Sequence, residues 1–493
     1  MVPAMGANIS RDCLSKLSLR PKLRHHHDSV SGSMTLVWIN NDRAVIYRPI
    51  SSLFGKIHLE FSTNRSKGES NGMSGAKWTN FLTIILKKQI HPTAAPKKFS
   101  TRPAQQAGTI ALGGLLYLTS MSKGRAEDRV DYRYEDYSED GGRIHIRTQG
   151  AYFDAAIKPW LSLKGNFIYD GISGATPTGA PPLPGQTVVP KVTISDIRRA
   201  GYVEAAIKFD NHTLSPQIAY SKESDYKSVG LSLNDAIELN DKNTTLLWGV
   251  SQSMDQVLPN EGEKLPPDDY LTVPQDKTSS DLLLGVTQLL GPSTVFSANL
   301  TLGYSQGFLN DPYKRVFFIA DGTVYSQPGQ PYTVFPEKRP GHKFRQVAYF
   351  SLQHFFDKAD GAVEATYRFS HDDFGIVANT VSVQWNQKIG KYVTLSPLFR
   401  YYNQTEANFY ATKFSGDPLD PVNFPVPTYY SSDYRLSSLN SFTYGVSLSV
   451  KIHQHATIDL SYKRYTMSGT DGVTSQDQYP KANVLGGGLT IWF

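Results

Sequence analysis

Charged side chains are the groups in this sequence that could bind or select a ligand. Acidic and basic residues recur in the segments between predicted strands and on the polar faces of those strands. Rings of mixed charge can select ions in a pore, or they can pair with one another and plug its mouth. The candidate lumen or vestibule residues are Asp170, Asp196, Arg198, Arg199, Asp311, Lys314, Arg339, Arg345, Glu364, Arg368, Asp372, Asp373, Arg400, Asp433 and Arg435.

The motifs of common enzymes are weak in this chain. The segment GISG at 171–174 does not match the G-x-S-x-G sequence of a nucleophile elbow, and it lacks the helix that follows such an elbow. The sequence also contains no phosphate-binding loop of the form G-x-x-x-x-G-K-[ST]. His453 and His455 flank a predicted turn without a third metal ligand. We therefore expect no catalytic residue, no metal and no cofactor. A hydrolase stays open as an alternative, because a serine and a histidine from distant strands can be brought together by the fold.

Composition excludes several classes of function. The only cysteine is Cys13, so the rest of the chain has no cysteine ligands, disulfides or catalytic thiol. Residues 1–126 contain 18 Lys+Arg and 5 Asp+Glu, which leaves 50 − 18 = 32 basic and 44 − 5 = 39 acidic residues in 127–493. Because the main body is acidic overall, the basic pI comes from the leader, and we expect no nucleic-acid partner.

A secretory leader is predicted at 96–126. Lys97, Lys98 and Arg102 precede an apolar run at 108–121, and small residues follow it. This order is typical of a signal peptide cleaved near Ala126, and the run is too short for a membrane-spanning helix. Residues 1–95 show no sustained period, and we interpret them as a mistaken upstream extension of the reading frame or as a disordered arm.

Beyond residue 127 the dominant pattern is alternation with a period of two. In 295–304 the apolar column contains Phe296, Leu300 and Tyr304, and polar residues fill the other column. The same alternation runs through 441–452 and 456–463. Such columns predict strands with one apolar and one polar face, which helical spacing would not produce.

The connections between strands indicate the architecture. Turns after even-numbered strands are short, whereas connections after odd-numbered strands are mostly long and rich in Pro, Gly and charge. Short turns at one end and long loops at the other are typical of an outer-membrane barrel. The sixteen predicted strands lie near 129–137, 143–155, 160–170, 201–209, 213–221, 227–238, 244–253, 279–289, 294–305, 344–356, 361–370, 377–387, 391–403, 439–452, 455–465 and 482–493.

Membrane embedding requires that this sheet close. Every backbone polar group in the bilayer core needs a partner, so the strands must form a complete ring. The predicted fold is therefore all-β: a transmembrane antiparallel up-and-down barrel over 127–493, with its apolar columns facing outer-membrane lipid and polar columns facing a lumen. Aromatic residues at strand ends, among them Trp160, Phe355 and Tyr402, are expected in the interface girdles.

The last predicted strand carries a possible assembly signal. Phe493 ends the chain, Ile491 lies in the same apolar column, and Gly488 stands five residues before the end. This arrangement is typical of the signal by which the barrel-assembly machinery recognises its substrates. We expect that machinery and lipid as partners, while any periplasmic partner stays unknown.

Seven loop and strand-end segments are distinctive: DGISGATP at 170–177, SDIRRA at 195–200, NDPYK at 310–314, PEKRP at 336–340, DDFGI at 372–376, RYYNQTEANFY at 400–410 and YSSDYRLS at 430–437. Together they resemble an uncharacterised family of bacterial outer-membrane proteins, domain of unknown function 3570. The resemblance implies an outer-membrane location and a barrel, and it implies no activity. One departure is Asn379, which stands where a histidine often precedes the threonine that is Thr380 here.

Three functional hypotheses follow. The first is a channel or export conduit with a charged lumen, gated by loops such as 306–343, because a barrel of sixteen strands can enclose water. The second is a structural or partner-binding barrel whose lumen is plugged. The third, which we favour least, is a membrane-embedded hydrolase that uses Ser173 and a nearby histidine.

Overall fold

The computed structural model describes residues 128–183, 185–259, 271–319 and 334–493. The predicted signal peptide at 96–126 and the upstream segment at 1–95 lie outside these described residues. No helix within the described ranges is both long and apolar enough to cross a membrane.

Sixteen strands of the described residues form one closed, antiparallel barrel. They are β1 (Arg129–Glu139), β2 (His145–Lys158), β3 (Leu161–Pro177), β4 (Lys191–Phe209), β5 (His212–Lys222), β6 (Tyr226–Leu239), β7 (Thr244–Val257), β8 (Gln275–Gly291), β9 (Thr294–Gly307), β12 (His342–Phe356), β13 (Gly361–Asp372), β14 (Val377–Ile389), β15 (Val393–Gln404), β17 (Leu439–His453), β18 (Ala456–Gly469) and β19 (Lys481–Trp492). The remaining strands form a small separate sheet: β10 (Arg315–Ile319), β11 (Val334–Pro336) and β16 (Phe414–Ser415).

Neighbouring barrel strands follow one another along the chain, and β1 pairs with β19 to close the ring. At this seam Gly488 lies opposite Arg133, and a Cβ on Gly488 would stand 2.1 Å from the Arg133 Nη1 atom. Glycine therefore gives the arginine room at this position. The predicted up-and-down barrel of about sixteen strands is confirmed.

The two faces of the sheet differ in chemistry as the alternation predicts. Tyr444 and Leu460 are about half exposed on the outer face, at 53% and 55%, whereas Thr443 and Lys463 are 6% and 7% exposed on the inner face. An exposed apolar exterior around a polar interior is the arrangement that a lipid-embedded barrel requires. Buried polar residues of the inner face include Ser253, Ser297, Ser305, Ser351, Gln353, Thr380, Gln384, Asn386, Ser396, Ser441 and Thr490.

The connections also have the predicted parity. At the turn end of the barrel the links are tight, and residues such as Asp210, Asn240 and Asp360 adopt the left-handed backbone conformation that tight turns need. At the loop end the links are longer, and the two longest described ones span 308–341, with its gap, and 405–438. The loop end is therefore the end at which the connections are long enough to cover the barrel opening.

Two sequence expectations need correction. β4 begins at Lys191, ten residues before the predicted start, so Arg198 and Arg199 are adjacent strand residues and point to opposite faces. Arg199 lies on the outer face over the ring of Tyr169, so its assignment to the lumen or vestibule is wrong. Phe355 and Tyr402 belong to the inner-face columns rather than to the outer aromatic girdles.

Candidate functional site

Two loops at the loop end fold together into a structure that we call the cap, residues 308–319, 334–341 and 405–438. β10 pairs with β11 from the first loop and with β16 from the second. A bridge between Lys338 and Tyr430 joins the loops again. Phe318 contacts the rings of Phe335, Phe414 and Tyr430, so the cap has its own small aromatic core.

Local sequence explains how the second loop presents its charges. Asp433 begins a short 3-10 turn at Tyr434–Leu436, and its carboxylate accepts a hydrogen bond from the backbone N–H of Arg435. Aspartate favours such a position because its short side chain reaches the free N–H groups at the start of the turn. Leu436 is buried in the cluster with Phe374 and Leu309, which fixes the turn against the first loop.

Asp433 is the centre of a buried ion-pair network. The Arg339 Nη2 atom donates to Asp433 at 2.8 Å, and the Arg339 Nε atom lies 2.7 Å from Glu337. Arg435 pairs with both Asp433 and Asp311. Asp433 and Glu337 are each only 1% exposed, so these charges have left water and depend on one another.

Lys314 ties this network to the barrel wall. It is 2% exposed, its ammonium donates to the carbonyl of Pro177 at the end of β3, and it lies 5.2 Å from the ring centroid of Tyr434. Nearby, Gly179 has a φ of +95°, and a Cβ there would stand 2.5 Å from the Ser432 carbonyl oxygen. The cap therefore packs closely on the loop between β3 and β4.

The balance of charges sets the protonation of the cap. Burial alone would raise the pKa of Asp433, but Arg435, Lys314 and Arg339 outweigh burial and hold that pKa well below its usual range. The pKa of Asp311 is lowered in the same way. Burial and the neighbouring carboxylates raise the pKa of Glu337 despite Arg339, and burial lowers the pKa of Lys314.

Five of the predicted residues therefore meet in the cap: Asp311, Lys314, Arg339, Asp433 and Arg435. Sequence reasoning missed Glu337, which accepts from the backbone N–H of Asp311 and from Ser431. The signal was present in the segment PEKRP, where Glu337 and Arg339 are two residues apart and so share one face of an extended chain.

Other predicted residues form pairs on the lumen wall below the cap. Asp170 accepts from Arg198 at 2.6 Å between β3 and β4. Arg345 pairs with Asp281 at 3.1 Å, and Asp372 pairs with Lys343 at 2.8 Å.

The remaining predicted residues are scattered. Glu364 is buried on the inner face of β13. Asp196 accepts from Ser224 beside the wall, and Asp373 is exposed in the link between β13 and β14. Neither is part of the cap network.

Arg368 and Arg400 differ from the other lumen cations. They lie on the inner faces of β13 and β15, where Arg368 faces Thr380 and Arg400 faces Ser382 across the intervening β14. Each is close enough to the other to interact electrostatically, and Arg345 is also near Arg368. Neither forms an ion pair with any residue that the structure describes.

A cavity of about 140 Å³ lies between the cap and the inner faces of β4 to β8. Arg198, Lys277, Asn310 and Tyr313 contribute to its lining. Beside it, the carboxylates of Asp196, Glu223 and Asp225 lie within 4.8 Å of one another. Asp225 accepts a hydrogen bond from the Tyr313 hydroxyl, so the cap also contacts this side of the wall.

The outer face carries one group of catalytic residue types near the loop end. Asp136 on β1 lies 3.0 Å from the Nε2 atom of His145 on β2, and His145 is paired in register with Ser173 on β3. Within the described residues the Ser173 hydroxyl makes no hydrogen bond. The nucleophile–base contact of a hydrolase is therefore not formed in this conformation.

Comparisons with known proteins give a family and several remote structural similarities. The model of the family described as "Protein of unknown function (DUF3570)" matches residues 107–491. A search of curated proteins found no match.

Among solved structures, the BenF-like porin from Pseudomonas fluorescens Pf-5 is 10% identical with a TM-score of 0.38, over 75% of this chain and 99% of the porin. "Outer-membrane expressed OmpT of Vibrio cholerae" is 11% identical with a TM-score of 0.38, over 76% and 99%. The siderophore receptor PirA from Pseudomonas aeruginosa is 10% identical with a TM-score of 0.36, over 75% of this chain but only 62% of the receptor. Because these TM-scores are low, the barrel assignment depends on its own strand pairing.

Proposed function

The chain belongs to the family described as "Protein of unknown function (DUF3570)", and from the cap and lumen we propose that it is a gated outer-membrane conduit for small anionic solutes. Sixteen strands can enclose an aqueous lumen. The apolar exterior supports placement in the outer membrane, with the loop end outside and the turn end in the periplasm. Cleavage of a signal peptide near Ala126 stays part of this proposal.

The observation that carries the proposal is the difference between the two sets of charges. In the cap, Asp433 has two arginine partners and is removed from water. In the lumen wall, Arg368 and Arg400 have no carboxylate partner among the described residues. We infer that the cap charges hold a closed state and that the wall arginines attract a mobile anion, as charged rings do in selective pores.

Gating means that the cap has a closed and an open arrangement. A buried ion pair that loses one partner leaves a charge without compensation, at a cost of about 3–5 kcal/mol. Releasing Asp433 would therefore destabilise the whole cap, because Arg339 and Arg435 both depend on it. The strands of the barrel do not depend on these contacts, so they would stay folded.

Single-channel conductance of the full-length protein in planar bilayers tests the gating. We expect the wild-type protein to be closed for most of the time, and the Asp433→Asn variant to be open at least tenfold more often. Glu406→Gln is the matched control, because Glu406 is an exposed acid of the same loop. Equal open times in both variants and the wild type would contradict a cap held by Asp433.

The anion preference is tested in the Asp433→Asn background. Reversal potentials in a salt gradient should show anions crossing more readily than cations. Changing both Arg368 and Arg400 to Glu should invert that preference. Unchanged reversal potentials would exclude the two arginines as the selecting groups. If folded, inserted Asp433→Asn protein stayed silent, a structural or partner-binding barrel with a plugged lumen would replace the conduit.

A second candidate function is ester hydrolysis at the outer face, favoured by the register of Asp136, His145 and Ser173. In such a site the Ser173 hydroxyl would attack a lipid ester carbonyl while His145 takes its proton. The ester C–O bond would then break, and the alcohol portion of the lipid would leave with that proton. Water would next hydrolyse the acyl-serine, which releases the fatty acid and restores the Ser173 hydroxyl. Release of fatty acid from phospholipid vesicles, abolished by Ser173→Ala, would support it. Equal release by Ser173→Ala and wild type would exclude it.

A further inference from the structure

Three cations stand side by side on the outer face at the loop end. Arg199 on β4 is paired in register with Lys222 on β5, and Lys222 is paired with Lys227 on β6. All three residues are exposed. We call them the basic row. Like charges directly opposite one another on neighbouring strands repel and weaken the sheet, so this arrangement needs a compensating partner.

The described part of the chain supplies no such partner. None of the three residues forms an ion pair there. The next outward residue along the row is Gln256, and it donates to Asp276, the acid beyond it. Glu223 and Asp225 are close in sequence but buried and directed toward the cavity under the cap.

Two other outward cations at this end of the barrel are paired with acids. Arg147 lies 3.4 Å from Asp136, and Arg464 donates to Asp140 at 2.8 Å. The basic row differs from these two cations because its three members are adjacent to one another and none of them contacts an acid among the described residues. Among the residues that the structure describes, no acidic side chain neutralises these three charges.

The height of the basic row on the barrel indicates what that partner is. Tyr220 is two residues below Lys222 on the same face and is 46% exposed, and Ile218 below it is 56% exposed. Met254 and Leu231 continue this apolar surface. Two strand residues span about 7 Å, so the cations lie where the lipid tails end and the headgroups begin.

We propose that the basic row binds the phosphate groups of lipids in the membrane leaflet at the loop end. Lysine and arginine both bind phosphate through charge-assisted hydrogen bonds. Arg199 is also held over the ring of Tyr169, at 5.7 Å from the centroid, which orients its guanidinium at the surface. A phosphate-bearing headgroup would remove the repulsion between the three cations while its acyl chains cover the apolar face below. This site is independent of whether the barrel conducts.

Lipid binding can be measured on the full-length protein in detergent micelles by native mass spectrometry. The probes are bisphosphorylated lipid A, the same lipid without its phosphates, phosphatidylcholine, and inorganic phosphate as competitor. We expect lipid A to be retained, and both phosphate-free lipid A and phosphatidylcholine to be lost. If inorganic phosphate displaced lipid A at a similar concentration, the basic row would be a site for free phosphate, and the proposed lipid site would be wrong.

Variants give the decisive comparison. Changing Arg199, Lys222 and Lys227 together to Gln should weaken lipid A binding by about tenfold or more. The matched control changes Lys158, Lys358 and Lys391 to Gln, three exposed lysines at the turn end, and should bind like the wild type. Equal losses in both variants would mean general attraction to a basic protein and would overturn the site.

Two further variants keep the proposal testable if the triple variant does not fold. Lys222→Gln removes only the central charge and should weaken binding about threefold. The charge-conserving exchange of Arg199 to Lys and of both lysines to Arg should retain binding. Wild-type affinity in Lys222→Gln, or lost affinity in the folded charge-conserving variant, would contradict phosphate binding by this row.

Discussion

The cap and the lumen wall of β13 to β15 use the same residue types in opposite ways. In the cap, three cations and three carboxylates are packed together, four of them buried and Asp311 and Arg435 partly buried. Each charge contacts a partner of opposite sign or a carbonyl oxygen. On the wall, Arg368 and Arg400 are neighbours of like charge with no carboxylate partner among the described residues. Charges that neutralise one another hold a structure, whereas charges left without a protein partner can attract a solute.

The largest expected effect is on the cap. Arg339→Ala would leave Glu337 and Asp433 buried with one cation fewer, and we expect the cap to lose about 3–5 kcal/mol of stability. Hydrogen exchange of the backbone amides at 431–437 measures this loss. Lys338→Ala is the matched control, since Lys338 is the exposed neighbour of Arg339. Equal rates of hydrogen exchange in the two variants would show that the Arg339 ion pairs do not stabilise the cap, and the contrast between cap charges and wall charges would be wrong.

Acid should weaken the cap through Asp433 and Asp311. Their pKa values are lowered in the folded state, so their contribution to stability is complete above their ordinary value near 3.8. It is lost as the pH falls through the lowered folded-state pKa values. We expect hydrogen exchange of the cap to rise below about pH 4 while the barrel strands stay protected. Asp433→Asn should show a smaller change, and an identical acid response would contradict this assignment.

A glycine substitution tests the contribution of close packing to cap stability without changing any charge. Gly179→Ala places a Cβ against the Ser432 carbonyl at a position of positive φ, and we expect a loss of about 1–3 kcal/mol in cap stability. Gly472 also has a positive φ, +74°, but open space surrounds it. Gly472→Ala should therefore cost only the backbone strain, about 1–2 kcal/mol, and should leave hydrogen exchange of the cap unchanged.

The smallest effect is expected on the wall. Arg368→Gln should leave the melting temperature unchanged, because no ion pair with a described residue is broken. In an open background it should reduce the anion-to-cation permeability ratio by a factor on the order of two or three. Arg199→Gln is the control, since this arginine faces outward. A lower melting temperature would show that Arg368 is structural, as the cap charges are.

The barrel was predictable from the sequence because the alternation that identifies each strand lies within a few consecutive residues. Alternation at Phe296, Leu300 and Tyr304 follows from the two-residue period of a strand, and short turns at one end follow from antiparallel neighbours. Strand ends were less predictable. At the loop end β3 continues into a segment rich in Gly, and β4 begins in a charged segment, and neither segment shows the apolar alternation by which the sequence identifies a strand.

The cap was predictable only as a set of charges. Asp433 and Arg339 were expected at the mouth, but their pairing depends on two loops that meet from distant parts of the chain. Loop residues have no period, so the small sheet of β10, β11 and β16 left no signal. Arg199 was assigned to the wrong face because a strand that begins ten residues early reverses the inference for every second side chain.

The seam between β1 and β19 determines when the barrel can finish folding. It joins residues from opposite ends of the described chain, and the hydrogen bond from Thr490 to Asp131 spans 359 positions. Closing a loop of that length costs about 5 kcal/mol of chain entropy. Until it closes, both strands are open edges that can pair with another chain and aggregate. Hydrogen bonds at the seam, among Asp131, Arg133 and Thr490, therefore end the period in which the newly made protein can aggregate through its open edges.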